Sequence, residues 1–360
     1  LKNTLINIGK YLLALGFGIL LLYLALKELS WEEVKEAVVT APWEWLMLSM
    51  AVGAFSHFLR AVRWGMQYRA FGYNPSNLRL YAAVMFGYLV NQAIPRGGEV
   101  ARCSILIKSD KIPLPKSLGS VAIERVFDVL ILLSLIVLAF FLEYNALDQM
   151  LQKTIFAERG GEEGGPSLLL ILMGIAAVGG IFFLIFRKRL LQIPIFQKVQ
   201  AIFIDLYKSA FSVKDIENPM LFIVYTIGIW VCYILMTYFA FFAMDSVMAL
   251  ENINMFYFAT IVTIIGGIGM ALPSPGGVGT YHSAVAITFG AMMVLPTYEG
   301  SYNLGGLFGT VMHISQVIMM VSLGILGYVY LMRIAPEVDS STMNHEEEES
   351  LPLVSNPHKE

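Results

Sequence analysis

Charge is scarce in this chain. Asp, Glu, Lys and Arg make up only 14% of its 360 residues, and the formal net charge is −3. A soluble globular domain carries about 25% charged residues. Cysteine is scarcer still: Cys103 and Cys232 are the whole supply, which leaves no disulfide framework and no metal-ligand spacing. No G-x-x-x-x-G-K-[ST] string occurs to cradle a nucleotide, and no G-x-S-x-G elbow to carry a serine nucleophile. No basic module for RNA or DNA is present. These absences point away from nucleic-acid partners, from an ATP-driven pump within this chain and from a metal or organic cofactor.

Hydrophobic residues fill the space, at 57% of the chain. They are gathered into runs rather than spread evenly. About 20 apolar residues in a helix cross a hydrocarbon core of about 30 Å, and inside that core the backbone must satisfy its own hydrogen bonds. Six segments read as helical spans: about 11–26, 44–60, 121–143, 167–186, 220–242 and 306–330. The first follows Lys2 and Lys10 like a signal sequence, but it lacks a small-x-small cleavage site and is read as an uncleaved helix. Ser30-Trp31-Glu32-Glu33 reads as a capping box opening a short surface helix, and Pro219 suits the first turn of the span that follows it. Trp43, Trp45, Tyr144 and Tyr330 stand at run ends, where interfacial aromatics belong.

Three apolar segments are interrupted. Leu80–Ile94 stops at Pro95-Arg96-Gly97-Gly98, and Phe256–Leu272 and Ser283–Leu295 flank Pro273-Ser274-Pro275-Gly276-Gly277-Val278-Gly279. Proline and paired glycine break a helical hydrogen-bond ladder. If each broken region enters and leaves on one side and the N-terminus is inside, 20 of the 24 Lys and Arg fall inside. Forcing Leu80–Ile94 across would move the basic stretch 96–116 outside, against the positive-inside bias. The expected fold is therefore all-α: a polytopic transmembrane helical bundle with two re-entrant Pro/Gly-broken regions. The weak echo between Ala93–Gly98 and Ala271–Gly277 leaves an inverted repeat as an open alternative. The expected division is a membrane domain over 1–332 and an acidic, disordered cytoplasmic tail over 333–360. Residues 187–214 read as an amphipathic connector.

The densest polar set is Asn91, Arg96, Glu99, Arg102, Glu124, Arg125 and Asp128. Ionised groups at helix centres cost about 2.5–3.5 kcal/mol each on insertion scales, so they need partners or water. Glu99 with Arg102, and Arg125 with Asp128, could pair one helical turn apart. The same set could instead form a vestibule for a lipid phosphate, which arginine binds through two parallel hydrogen bonds. Arg60, Arg63 and Trp64 at the end of a span read most simply as snorkelling anchors. The second break leads into Thr280, Tyr281 and His282, whose amides at a helix start would attract an anion; a packed glycine hairpin is the plainer alternative. His313 and Gln316, one turn apart, read as packing residues.

Four strings together resemble the integral-membrane flippase-like domain family, also described as the lysylphosphatidylglycerol synthase transmembrane region. They are Arg60-Ala61-Val62-Arg63-Trp64; Asn91-x-x-x-Pro95-Arg96-x-Gly98-Glu99-x-x-Arg102; Glu124-Arg125-x-x-Asp128; and Pro273-x-Pro275-Gly276-Gly277-Val278-Gly279. The resemblance implies movement of a phospholipid, aminoacylated or otherwise anionic, between leaflets. It also raises Arg60, Arg63 and Trp64 from anchors to candidate substrate contacts. The chain departs from the synthase relatives in one respect: where they carry a soluble transferase domain, a short acidic tail follows here, so lysyl-lipid synthesis is not expected.

The leading expectation is a lipid flippase of a bacterial inner (plasma) membrane, with both termini cytoplasmic and no enzymatic step. Its candidate substrate contacts are Arg60, Arg63, Trp64, Asn91, Arg96, Gly98, Glu99, Arg102, Glu124, Arg125 and Asp128, with Pro273, Pro275, Gly276, Gly277, Gly279 and His282 from the second break. Membrane lipids are the expected partners; self-association and pairing with a lipid-modifying enzyme stay open. The alternatives are an intramembrane enzyme using Glu99, Asp128 or His282 as acid or base, and a non-transporting scaffold.

Overall fold

A computed structural model describes residues 15–142, 216–251 and 253–334, with isolated positions between 170 and 197. The described residues are helical throughout, with no strand among them. In chain order the helices are α1 (Leu15–Leu26), α2 (Trp31–Thr40), α3 (Trp43–Ala70), α4 (Asn77–Ala93), α5 (Gly97–Asp110), α6 (Leu114–Leu142), α7 (Pro219–Phe241), α8 (Asp245–Met248), α9 (Met255–Ala271), α10 (Thr280–Ala291) and α11 (Tyr298–Ile334). Of these, α3, α7 and α11 are long and apolar enough to cross a membrane. The expected span at 167–186, the connector 187–214 and the tail beyond Ile334 lie almost wholly outside the described residues.

Local sequence sets the helix ends. Ser30 caps α2 reciprocally: its hydroxyl accepts from the Glu33 amide, and the Glu33 carboxylate accepts from the Ser30 amide at 2.7 Å. The bond from the Ser30 amide, supported by the Ser30 hydroxyl, favours the ionised form and holds the Glu33 carboxyl below its ordinary value. Pro219 opens α7 beneath an Asn218 cap. Three of the expected spans are longer than the hydropathy runs suggest, α6 by starting at Leu114 rather than near 121. Residues 44–60 become the 28-residue α3, and 306–330 become the 37-residue α11. The extra turns of α3 carry Arg63, Trp64 and Gln67, which break a hydropathy run but are buried inside the bundle.

α3 packs on α7 and α4; α11 packs on α10 and α4; α9 lies between α7 and α10. One core is aromatic, with Phe241 and Phe289 in ring contact with each other and each with Phe258 and Phe308. A second gathers Trp64, Tyr68, Leu80, Leu106 and Leu331. On α6, Leu130, Leu133, Val137 and Phe141 point outward, an apolar face that water would disfavour and lipid would accept.

Both interruptions expected from the sequence exist, and they touch. At the first, α4 ends at Ala93, and Arg96 takes a left-handed backbone (φ 61°) before α5 begins. Asn91 Oδ1 accepts from the Gly98 amide at 2.8 Å, and Gly98 lies so close to the Gly87 carbonyl that no side chain fits between them. At the second, residues 272–279 separate α9 from α10, with one 3-10 turn over Pro275–Gly277. The Arg96 guanidinium donates to the Ala271 carbonyl at 3.2 Å, and Gly276 sits directly against the Gln92 side chain.

Candidate functional site

The polar face of α3 recurs at i, i+3 and i+7 in Arg60, Arg63 and Gln67, which places three long side chains on one side of the helix. That side faces α6 and α7. Arg60 bonds Asp128 at 3.2 Å and the Tyr233 hydroxyl at 3.1 Å. Arg63 bonds Asp128 at 3.1 Å and Thr226 at 3.0 Å, and lies 3.8 Å from Glu124. Glu124 in turn accepts from Arg102 on α5 at 2.6 Å. At the rim, Arg125 reaches Glu99 at 2.7 Å and Asp128 at 3.6 Å. Four arginines and three carboxylates thus form one connected network across α3, α5 and α6.

Burial grades this network. The side chains of Arg63 and Glu124 are 0% exposed, whereas those of Arg125 and Glu99 are 50% and 33% exposed. The sealed end is stable only because the opposite charges are matched; removing one partner from a buried pair costs about 3–5 kcal/mol. Trp64 walls this end. Its ring lies 4.4 Å from the Arg102 guanidinium carbon, and its Nε1–H donates to Ser120 at 2.7 Å. The geometry can present the Arg125–Glu99 ion pair, backed by a rigid interior, to a group arriving from the Arg125 side.

Apart from the Arg96 contact, the second break is held by uncharged groups. His313 donates to the Gly276 carbonyl at 2.9 Å, and His282 Nδ1 accepts from the Gly279 amide at 3.2 Å. The two imidazole centroids are 4.8 Å apart. Ser274 and Thr280 share a hydrogen bond at 2.8 Å. On its outer side the break is covered by α1: Gly18 packs on Val278 and Gly279, and Ser283 donates to the Leu21 carbonyl at 2.9 Å.

A cleft of ≈ 330 Å³ lined by Glu33, Glu36, Thr40, Asp245 and Leu307 lies beside the start of α3. Some twenty residues of helix, about 30 Å, separate it from Arg63. It is not part of the network.

Residues 11–330 match the model of the family described as "Lysylphosphatidylglycerol synthase TM region". The chain belongs to this family. It is also similar to a UPF0104 membrane protein of Methanocaldococcus jannaschii, 22% identical over 358 residues, covering 94% of this chain and 96% of that protein. No solved structure matches it. As a member of the family it is an integral membrane protein with apolar helical spans.

Within this family member, the structure brings together most of the residues singled out in the sequence and corrects how they pair. Arg60, Arg63 and Trp64 are buried, not snorkelling at a surface, because α3 continues past them into the bundle. Arg102 pairs with Glu124 rather than with its helical neighbour Glu99, since Glu99 is turned toward Arg125. The Arg125–Asp128 pairing one turn apart is present. Asn91, Arg96 and Gly98 shape the first break, with Arg96 reaching the second break rather than the network. Pro273, Pro275, Gly276, Gly277, Gly279 and His282 shape the second break and make no bond to the network. The amide of Gly279 is taken by His282, so that loop end is closed by its own side chain. His313 and Gln316 are packing residues with bonds to Gly276 and Ser49. Tyr233, Thr226 and Ser120 complete the network and were not legible beforehand, because single hydroxyls in apolar spans carry no pattern. Gln67 had a fainter signal: its spacing from Arg60 and Arg63.

Proposed function

We propose that this protein moves phospholipid between membrane leaflets, without a step of covalent chemistry. The observation that carries the reading is the connected arginine–carboxylate network, sealed at Arg63 and Glu124 and open at Arg125 and Glu99, beside two helix breaks that touch. Charges this deep among apolar helices are costly even when matched, and ionisable groups within a membrane commonly mark the path of a polar passenger. In this reading the two breaks are re-entrant and approach from opposite faces of a bacterial inner membrane, with both termini cytoplasmic. A headgroup engages Arg125 and the adjoining arginines while its acyl chains stay in lipid. Glu99, Glu124 and Asp128 hold the arginines in place. Arg96 and Gln92 bridge the breaks, and loosening that bridge exposes the headgroup to the other side. The sequence carries no G-x-x-x-x-G-K-[ST] string, so in this reading movement follows the lipid's own gradient or an ion gradient.

The test is reconstitution of the purified chain in liposomes carrying fluorescent phospholipids, with leaflet exchange followed by chemical quenching of the outer leaflet. Faster exchange than in protein-free vesicles supports the reading. Equal exchange across anionic, zwitterionic and aminoacylated headgroups, with and without protein, contradicts it.

A further inference from the structure

Within the lipid-moving reading, on which this inference rests, the network carries information about the headgroup. Its members are Arg60, Arg63, Arg102 and Arg125 against Glu99, Glu124 and Asp128, four positive charges against three negative. Every carboxylate already has an arginine: Glu124 has Arg102 and Arg63; Asp128 has Arg60, Arg63 and Arg125; Glu99 has Arg125. The surplus is a single positive charge, and no carboxylate is left over to receive a cation.

The spare hydrogen-bonding capacity is mixed: Glu124 Oε1, 3.8 Å from Arg63, is a buried acceptor without a hydrogen-bond partner among the described residues, while two arginine groups can only donate. Arg60 Nε and Arg63 Nε are buried and find no hydrogen-bond partner among the described residues. An arginine N–H can only donate, so what completes these groups must be an acceptor. Gln67, one turn beyond Arg63 on the same face, has neither amide atom partnered among the described residues. Its amide offers two N–H donors and an acceptor oxygen, which suits a neutral hydroxyl.

We propose that the network selects a singly charged phosphodiester headgroup bearing a neutral, hydroxyl-rich substituent, and discriminates against zwitterionic, cationic and doubly charged headgroups. A monoanion neutralises the surplus. A phosphomonoester dianion leaves one negative charge uncompensated, and a headgroup ammonium meets arginines with no free carboxylate. In a region of low dielectric each mismatch is strongly unfavourable. The aminoacylated headgroup allowed by the family resemblance is therefore a poor passenger for this chain.

The experiment uses the full chain in liposomes doped separately with labelled phosphatidylglycerol, phosphatidylcholine, a lysyl-esterified phosphatidylglycerol and phosphatidic acid. The pH is 8, above the second pKa of a phosphate monoester at about 6. Exchange of phosphatidylglycerol at least about tenfold faster than that of each other lipid is expected. Glu99→Gln removes one carboxylate at the half-exposed rim and raises the surplus to two, so the ratio of phosphatidic acid to phosphatidylglycerol exchange should rise about tenfold. Arg125→Gln abolishes the surplus, and the preference for phosphatidylglycerol over phosphatidylcholine should fall toward one; this second rim variant decides the matter if the first does not fold. Equal exchange of all four lipids, or ratios unmoved in the folded variant, overturns the charge selection while leaving lipid movement intact. No exchange of any lipid contradicts lipid movement itself. Entry of a trapped-volume probe such as soluble dimethyl phosphate, without lipid exchange, assigns the same diester chemistry to a free solute and rejects the lipid.

Discussion

Beside the first break, arginines and carboxylates tie α3, α5 and α6 together; beside the second, glycine, serine, threonine and histidine bring α1, α9, α10 and α11 into close contact. The first region is held by groups that need one another electrostatically. The second is held by shape, through backbones too close for side chains. The difference explains why they tolerate different insults. A buried ion pair is only as good as its partner, whereas a close backbone contact fails when volume is added. It also separates roles: the charged region can recognise a passenger, and the uncharged region can hinge or pack.

The largest expected effect breaks the charged side. Glu124→Ala leaves Arg102 and Arg63 without their shared carboxylate in a fully buried site, a loss of about 3–5 kcal/mol. Thermal unfolding of the detergent-solubilised protein should show it, and a second substitution, Arg102→Met, should recover part of the loss. Next, Gly279→Ala adds a methyl at a left-handed residue (φ 79°) pressed against the Gly18 carbonyl. Overpacking of this kind costs about 1–3 kcal/mol, and the same melt should report it. The comparison sharpens if lipid selectivity is unchanged in this variant. His313→Leu should cost about 1–2 kcal/mol by leaving the Gly276 carbonyl without its donor, again with selectivity intact. A shift in headgroup preference in either variant would erase the division between a recognising and a packing region.

The smallest effect lies outside both. Ser30→Ala removes one half of the α2 capping box, worth about 1 kcal/mol. The Glu33 half adds a pH signature. Its carboxyl is held below the ordinary value by the Ser30 bonds, so its contribution is present above that value and is lost as pH falls through the lowered one. Melts of the Glu33→Gln variant and the parent should converge on acidification; curves that stay parallel would count against the cap.

The helical class, both breaks and the capping box were legible because each rests on a local rule. Proline at 95, 273 and 275 cannot continue a ladder, and Ser30 with Glu33 has the cap spacing. The length of α3 was not legible, since Arg60, Arg63 and Gln67 lower hydropathy in sequence but are neutralised by helices far away in the chain. For the same reason the sequence suggested pairs one turn apart, while the bundle preferred Arg102 with Glu124 and Glu99 with Arg125. The two breaks are joined by a direct contact. What could not be foreseen was its chemistry: a guanidinium on a carbonyl and a glutamine on a glycine, both tertiary events.

Locking the two breaks together tests the central claim most directly. Arg96→Cys and Ala271→Cys, in a background with Cys103 and Cys232 replaced by alanine, can be bridged by a short thiol-to-thiol cross-linker in reconstituted vesicles. The account predicts that the bridged protein stops exchanging phosphatidylglycerol while the unbridged double variant continues. Exchange at the same rate with the bridge in place would mean that lipid passes elsewhere, or that these breaks do not move.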